Sequence, residues 1–375
     1  MKLHRLNSHS AKVHGANAHR TNARTIKLRH QFAVALVATA VASVQISAQQ
    51  FATQKFNVGG AGGTDYVAVN PDNGWVYVSR GTHVMVVDGL TGNVLADIPD
   101  TPRVHGIAFA AKEGHGFTTN AGDSTLTMFN LADNTVIKKV HIGIDGADGI
   151  WYDEGTNRIF SINHSKPTGS VVSVDAKTGD VLGKVMLAGE GPEGGASDGN
   201  GLVFINIEDK NSIDVLDINA MKVIRTWSIE PCDGPTGIAY DKASNRIFSG
   251  CSNKSVVVDA TTGKVVATIA NGDGVDALGW DATEKLMYIP SGRSGNITVV
   301  HQDSPYKYTV VSTIKTASGG KTIAVDPTRH RAYVLALEYG PAPAPAAGAA
   351  APTGRGGARG PLIGTAFFAV SHPQP

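Results

Sequence analysis

DGIWYDEGTNRIFSINHSKPTGSVVSVDAKTGDVLGKVML, Asp148 to Leu187, is the stretch from which the rest of the chain is read. It divides into four short strands. GIWYD (149–153) and RIFSI (158–162) are β-branched and aromatic runs separated by the turn-forming EGTN, and SVVSVD (170–175) follows. AKTG (176–179) is a tight turn into VLGKVML (181–187), which alternates apolar and polar residues as an edge strand does. A single sheet of this kind cannot bury both faces, so it requires copies of itself on either side.

The copies are present. The first hairpin recurs as DYVAVNPDNGWVYVS from Asp65, GIAFAAKEGHGFTTN from Gly106, GGASDGNGLVFIN from Gly194, GIAYDKASNRIFSG from Gly237, ALGWDATEKLMYIPS from Ala277 and TIAVDPTRHRAYVLA from Thr322. The second recurs from Val84, Leu126, Ile213, Val256 and Ile297. With the opening stretch this makes seven units at a period of roughly 40–45 residues, the spacing of four-stranded propeller blades. The expected fold is therefore an all-β, seven-bladed β-propeller over residues 51–370. The seventh unit has only three strands at the C-terminal end, the third being TAFFAV (365–370). QKFNV (54–58) is expected to supply the fourth and to close the ring, which removes the exposed edges that invite aggregation.

An apolar strand, an Asp-Pro turn, R-x-Y-V and V-D-x-x-T-G-K-V make up the repeated unit, best seen in VDPTRHRAYV (325–334) and VDATTGKV (258–265). In this the chain resembles the bacterial YVTN-repeat (YncE-like) β-propeller proteins from Phe51 to Val370, although literal YVTN is absent and YVS (77–79) and FTTN (117–120) are its nearest forms. The resemblance implies an exported protein that binds a ligand or partner, and no single chemistry.

The first 48 residues read as a signal peptide. Lys2, Arg5, Lys12, Arg20, Arg24, Lys27 and Arg29 stand without an acidic residue, Phe32 to Val44 is apolar, and AVA (40–42) and ISA (46–48) offer small-residue cleavage contexts. The apolar run is well short of the roughly 20 residues that span a bilayer, so no transmembrane domain is expected after cleavage. His4, His9, His14 and His19 recur at even spacing on this segment, where coincidence is the simpler reading. The implied location is periplasmic or extracellular. A formal net charge of +1 across 375 residues argues against nucleic acid as a partner, and a monomer is expected. Cys232 and Cys251, the only two cysteines, fall in the fifth unit on links facing the same end of the ring; in an oxidising compartment they are expected to form a disulfide. GPAPAPAAGAAAPTGRGGARG (340–360) interrupts the seventh unit and reads as a disordered loop.

Ring geometry then says where function belongs. Residues entering each first strand surround the channel mouth: Asp65, His105, Asp148, Glu193, Thr236, Asp276 and Lys321. Behind them the links between second and third strands bring Arg80, Asn120, Asn163, His164, Glu208, Asp209, Arg293 and Glu338. Loops converging on a concave mouth favour a ligand site. The expected ligand-binding set is Asp65, Arg80, His105, Asn120, Asp148, Asn163, His164, Glu193, Asp276, Arg293 and Lys321, with no catalytic residue and no cofactor assigned. The expected function is non-catalytic binding of a small ligand, glycan or protein. One alternative is a metal-assisted hydrolase or lactonase: Asp148, Glu193, Asn120, Asn163 and His105 would hold a divalent cation such as calcium, an arrangement similar to that of propeller lactonases. A structural or cell-surface interaction propeller is the other. The glycine-rich segments GGAGG (59–63) and GPEGG (191–195) lead into strands, so neither presents a helix N-terminus to phosphate.

Overall fold

The computed structural model describes residues 51–341 and 361–372. The signal-like segment, residues 342–360 of the insertion and the last three residues lie outside them. The described chain forms seven four-stranded antiparallel sheets, one for each sequence unit, set as the blades of a ring. The only helical pieces among these residues are two 3-10 turns, Ala111–Glu113 and Glu208–Lys210.

Blades 1 to 6 each use four consecutive strands, innermost first; blade 1 runs Val67–Asn70, Trp75–Ser79, Val84–Asp88 and Val94–Ile98. Blade 7 takes Ala324–Asp326, Arg331–Tyr339 and Leu362–Ser371 from one end of the chain and Ala52–Asn57 from the other. The pairing is antiparallel, from Ala52 opposite Ser371 to Asn57 opposite Ala366. Ring closure by an N-terminal strand is thus realised, two residues earlier than the sequence suggests.

Packing between blades follows from one repeated position. The second strands carry an aromatic side chain each, Tyr77, Phe117, Phe160, Phe204, Phe248, Tyr288 and Tyr333, none more than 2% exposed. Each wedges between neighbouring sheets and contributes roughly 1.5–3 kcal/mol of burial. Trp151 stacks on Phe160 with ring centroids 5.3 Å apart, and Trp280 packs on Phe248 at 4.8 Å. Where blade 7 packs against blade 1, Tyr333 stacks on Phe367 at 5.5 Å, in one core with Val76, Val78 and Met85.

Turn chemistry explains the recurring aspartates. Asp88, Asp175, Asp217 and Asp259 end third strands, and each accepts two backbone N–H groups of the following turn, as in Thr178 to Asp175 at 2.8 Å. The glycine of V-D-x-x-T-G sits at positive φ, 73° at Gly179 and 74° at Gly263, where a side chain would be strained. These acidic residues belong to the architecture and not to a site.

Candidate functional site at the channel mouth

Three inner strands reach further towards the mouth than the others, and each does so through a break in register. In blade 2 pairing passes from Val104 to Ile107, in blade 3 from Ala147 to Ile150, and in blade 4 from Pro192 to Gly195. The residues skipped are His105-Gly106, Asp148-Gly149 and Glu193-Gly194. Such bulges re-aim a side chain that a regular strand would direct into the sheet. The glycines permit close approach: a Cβ on Gly106 would lie 2.9 Å from the Asp148 carbonyl, one on Gly149 2.8 Å from that of Glu193, and one on Gly194 2.7 Å from that of Thr236. Hydrogen bonds tie these strands together across blades. Gly106 N–H donates to Thr119 Oγ1 at 2.8 Å, Thr119 in turn donates to the Asp148 carbonyl, and Gly194 N–H donates to the Thr236 carbonyl at 3.0 Å.

On this rim seven ionisable side chains from six blades form an unbroken run. Glu193 Oε1 lies 3.4 Å from His164 Nε2, which is 3.4 Å from Asp148 Oδ2; Asp148 Oδ1 is 3.6 Å from His105 Nδ1. His105 is hydrogen-bonded to Asp65, whose other oxygen is 3.0 Å from Lys321 Nζ, and Lys321 also binds Asp276. Only blade 5 adds no charge. Its Thr236 hydroxyl donates instead to the carbonyls of Gly250 and Val275, at 3.4 and 3.1 Å.

The environment sorts these groups by protonation. Burial works against the Asp65 carboxylate, but the His105 hydrogen bond and the Lys321 charge outweigh it and hold its pKa below the usual range. Burial likewise opposes the charged forms of His105 and Lys321, and their carboxylate partners outweigh it, so both pKa values are raised. Burial raises Asp148. Glu193, buried and facing the charges of Asp148 and Asp276, is pushed up to about 10.

Beneath the rim is a central cavity of about 180 Å³, lined by the inner-strand glycines and by Tyr66. Burial, and then the charges of Asp148, Glu193, Asp276 and Asp65, hold the Tyr66 phenol well above its ordinary pKa, so it remains a neutral donor. Sequence reasoning passed over Tyr66. The signal was available: the residue after each mouth position is Gly106, Gly149, Gly194, Gly237, Ala277 or Thr322 elsewhere, and a tyrosine here alone. Two shallower depressions flank the cavity, one of about 290 Å³ beside Asp65, Arg103, His105 and Lys321, the other of about 210 Å³ beside Glu208, Asp276, Arg293 and Lys321.

The structure thus brings Asp65, His105, Asp148, His164, Glu193, Asp276 and Lys321 together and sets Arg293 at their margin. Arg80, Asn120 and Asn163 are turned inward and fully buried. Asn120 Oδ1 accepts from Thr118 Oγ1 at 2.8 Å and Asn163 Oδ1 from Ser161 Oγ at 3.4 Å, so both amide oxygens are engaged inside their blades and neither faces a cation at the mouth as the divalent-cation alternative supposed. The Arg80 guanidinium donates to the carbonyls of Gly59, Gly60 and Ala61 and to Thr365 Oγ1. It latches the loop after the closing strand. Cys232 and Cys251 form a disulfide with Cα atoms 5.6 Å apart, buried at the edge of blade 5. No helix among the described residues is long and apolar enough to cross a membrane.

No protein-family model and no curated protein matches the chain. Among solved structures, the WD40 repeats of RRP9 are 9% identical with a TM-score of 0.70, covering 84% of this chain and 96% of that one. A chain of Kuenenia stuttgartiensis hydrazine synthase is 14% identical with a TM-score of 0.66, covering 74% of this chain and 93% of its own. A chain of a mitotic checkpoint complex is 15% identical with a TM-score of 0.64, covering 84% and 96%. At these identities the likeness is one of fold.

Proposed function

We propose that this chain is an exported binding propeller of the YVTN type, taking a small polar ligand at the channel mouth. One observation carries the reading: seven ionisable side chains from six blades converge on one rim above a cavity, where blade packing requires none of them. Lys321 and His105 offer donors, Asp65 and Asp276 offer acceptors, and Tyr66 lines the cavity below as a neutral aromatic floor. Such a mixed set suits a hydroxyl-rich or zwitterionic molecule, or the sugar of a glycan, more than a strongly charged polymer. The Cys232–Cys251 disulfide supports a site of action outside the cytoplasm. A metal-assisted hydrolase is the second reading, favoured by the imidazole set between two carboxylates in this rim.

The test is a melting-shift screen of sugars, polyols and amino acids against the wild type and against a variant carrying Asp65→Asn with Lys321→Met. Compounds that stabilise the wild type alone are expected. Equal stabilisation of both proteins, or none of either, would overturn the assignment.

A further inference from the structure

Within the rim, one group of atoms is spaced in a way that hydrogen bonding does not explain. His164 Nε2 stands 3.4 Å from Asp148 Oδ2 and 3.4 Å from Glu193 Oε1. Charge-assisted hydrogen bonds are shorter, about 2.7–2.9 Å. The Nε2 atom is itself shielded from solvent, yet it makes no hydrogen bond with any described residue. The Glu193 side chain is nine-tenths buried, with 10% of its surface exposed, and His164 is the one ion-pair partner of its carboxyl among the described residues. The spacing does match that of ligands around a small cation. A tetrahedral ion bound at about 2.0–2.2 Å holds its ligand atoms about 3.3–3.6 Å apart.

The neighbouring group of Asp65, His105 and Asp148 is equally compact but already satisfied, because His105 is bonded to Asp65 and Asp65 to Lys321. It serves better as an outer shell. His105 Nδ1 is 3.6 Å from Asp148 Oδ1, beyond hydrogen-bond distance, so it acts on that carboxylate through its charge. The backbone is also set in advance: Asp148 and Glu193 stand on bulges, and His164 N–H donates to the Gly146 carbonyl at 2.8 Å.

We propose that Asp148 Oδ2, His164 Nε2 and Glu193 Oε1 form a three-ligand site for a divalent first-row transition ion of the zinc or cobalt kind, with its remaining position open to the channel mouth. The imidazole ligand speaks against calcium, which takes oxygen. Three protein ligands and one exchangeable position are the arrangement of sites that engage a ligand, where structural sites use four. This inference is independent of which organic molecule the mouth takes.

The experiment is titration of the chelator-treated full chain with Co²⁺ and with Zn²⁺, followed by calorimetry and by the visible absorption of cobalt. One equivalent is expected to bind at this site, with the intense bands of tetrahedral cobalt. His164→Ala and Glu193→Gln should each weaken it by more than the roughly 10–100-fold that outer-shell partners carry, and His105→Gln should fall within that range. His4, His9, His14 and His19 offer cobalt a different place on the chain. Undiminished affinity and bands in a variant joining Asp148→Asn, His164→Ala and Glu193→Gln would therefore overturn the proposal. So would preference for Ca²⁺, or no binding. Because His164 is a third exposed, His164→Ala decides the matter should a Glu193 variant fail to fold.

Discussion

Aspartate does two kinds of work in this chain, according to which end of a strand it occupies. Asp281 and Asp326 end inner strands, are fully buried and accept the N–H groups of the next turn, as in Thr283 to Asp281 at 3.0 Å. Asp65, Asp148 and Asp276 precede or begin inner strands and face one another across the mouth. The repeat makes the difference legible, because a residue's slot says which end it holds. Asp281 also accepts a 2.7 Å hydrogen bond from His330 of the next blade. That bond raises the His330 pKa against the effect of burial, with further support from the charges of Asp281, Glu284 and Asp326; Glu284 also meets His372. A histidine whose folded pKa lies above its unfolded value adds stability below about pH 6.5, and that stability is lost as pH rises through the folded value. Raising the pH from about 5 to about 8 should therefore destabilise the wild type more than His330→Gln, as urea melts at the two pH values would show. Equal losses would mean that the pair contributes nothing.

Elements, in turn, decide which polar residues can reach the mouth. Asn120 and Asn163 are paired in register with Val104 and Ala147, just where the bulges begin, and their amides turn into the blades. His105, Asp148 and Glu193 are directed outward because the bulges break the alternation that would otherwise set their side chains. A strand pattern in sequence has period two and gives no sign of a bulge, so side-chain direction at these positions was beyond it. His164 reached the mouth by a simpler route, on the link that follows a second strand. Blade 5 shows a different economy: where its neighbours hold the rim by charge, its links are joined by the Cys232–Cys251 bond across a separation of 19 residues. Loop-closure entropy for such a span gives about 3 kcal/mol. Replacing both cysteines by serine should lower unfolding free energy by about 2–4 kcal/mol in denaturant melts, with the fold retained.

At the scale of the whole molecule, the rim exists only because the ring closes. Ala52–Asn57 pairs with the last strand, Phe56 packs on Phe367 at 6.2 Å, Lys55 binds Glu338 at 2.6 Å, and Arg80 grips the loop that follows. Phe56 is the one partly buried large apolar side chain of residues 52–57, so deleting them should cost about 1.5–3 kcal/mol and should broaden the thermal transition as blade 7 loosens. An unchanged melt would show that closure does not depend on this strand. The number of blades, their strand order and the shared end at which the charged residues lie are legible in the chain, because alternation, turn caps and positive-φ glycines act over a few residues and repeat from unit to unit. Tertiary structure alone decided which of those residues meet. Asp65 and Lys321 lie far apart in the chain and within 3.0 Å in space, and Tyr66 lines a central cavity that no single blade possesses. Contacts of that kind depend on the curvature of the closed ring and on the local aim of each bulge, neither of which is encoded within one repeat.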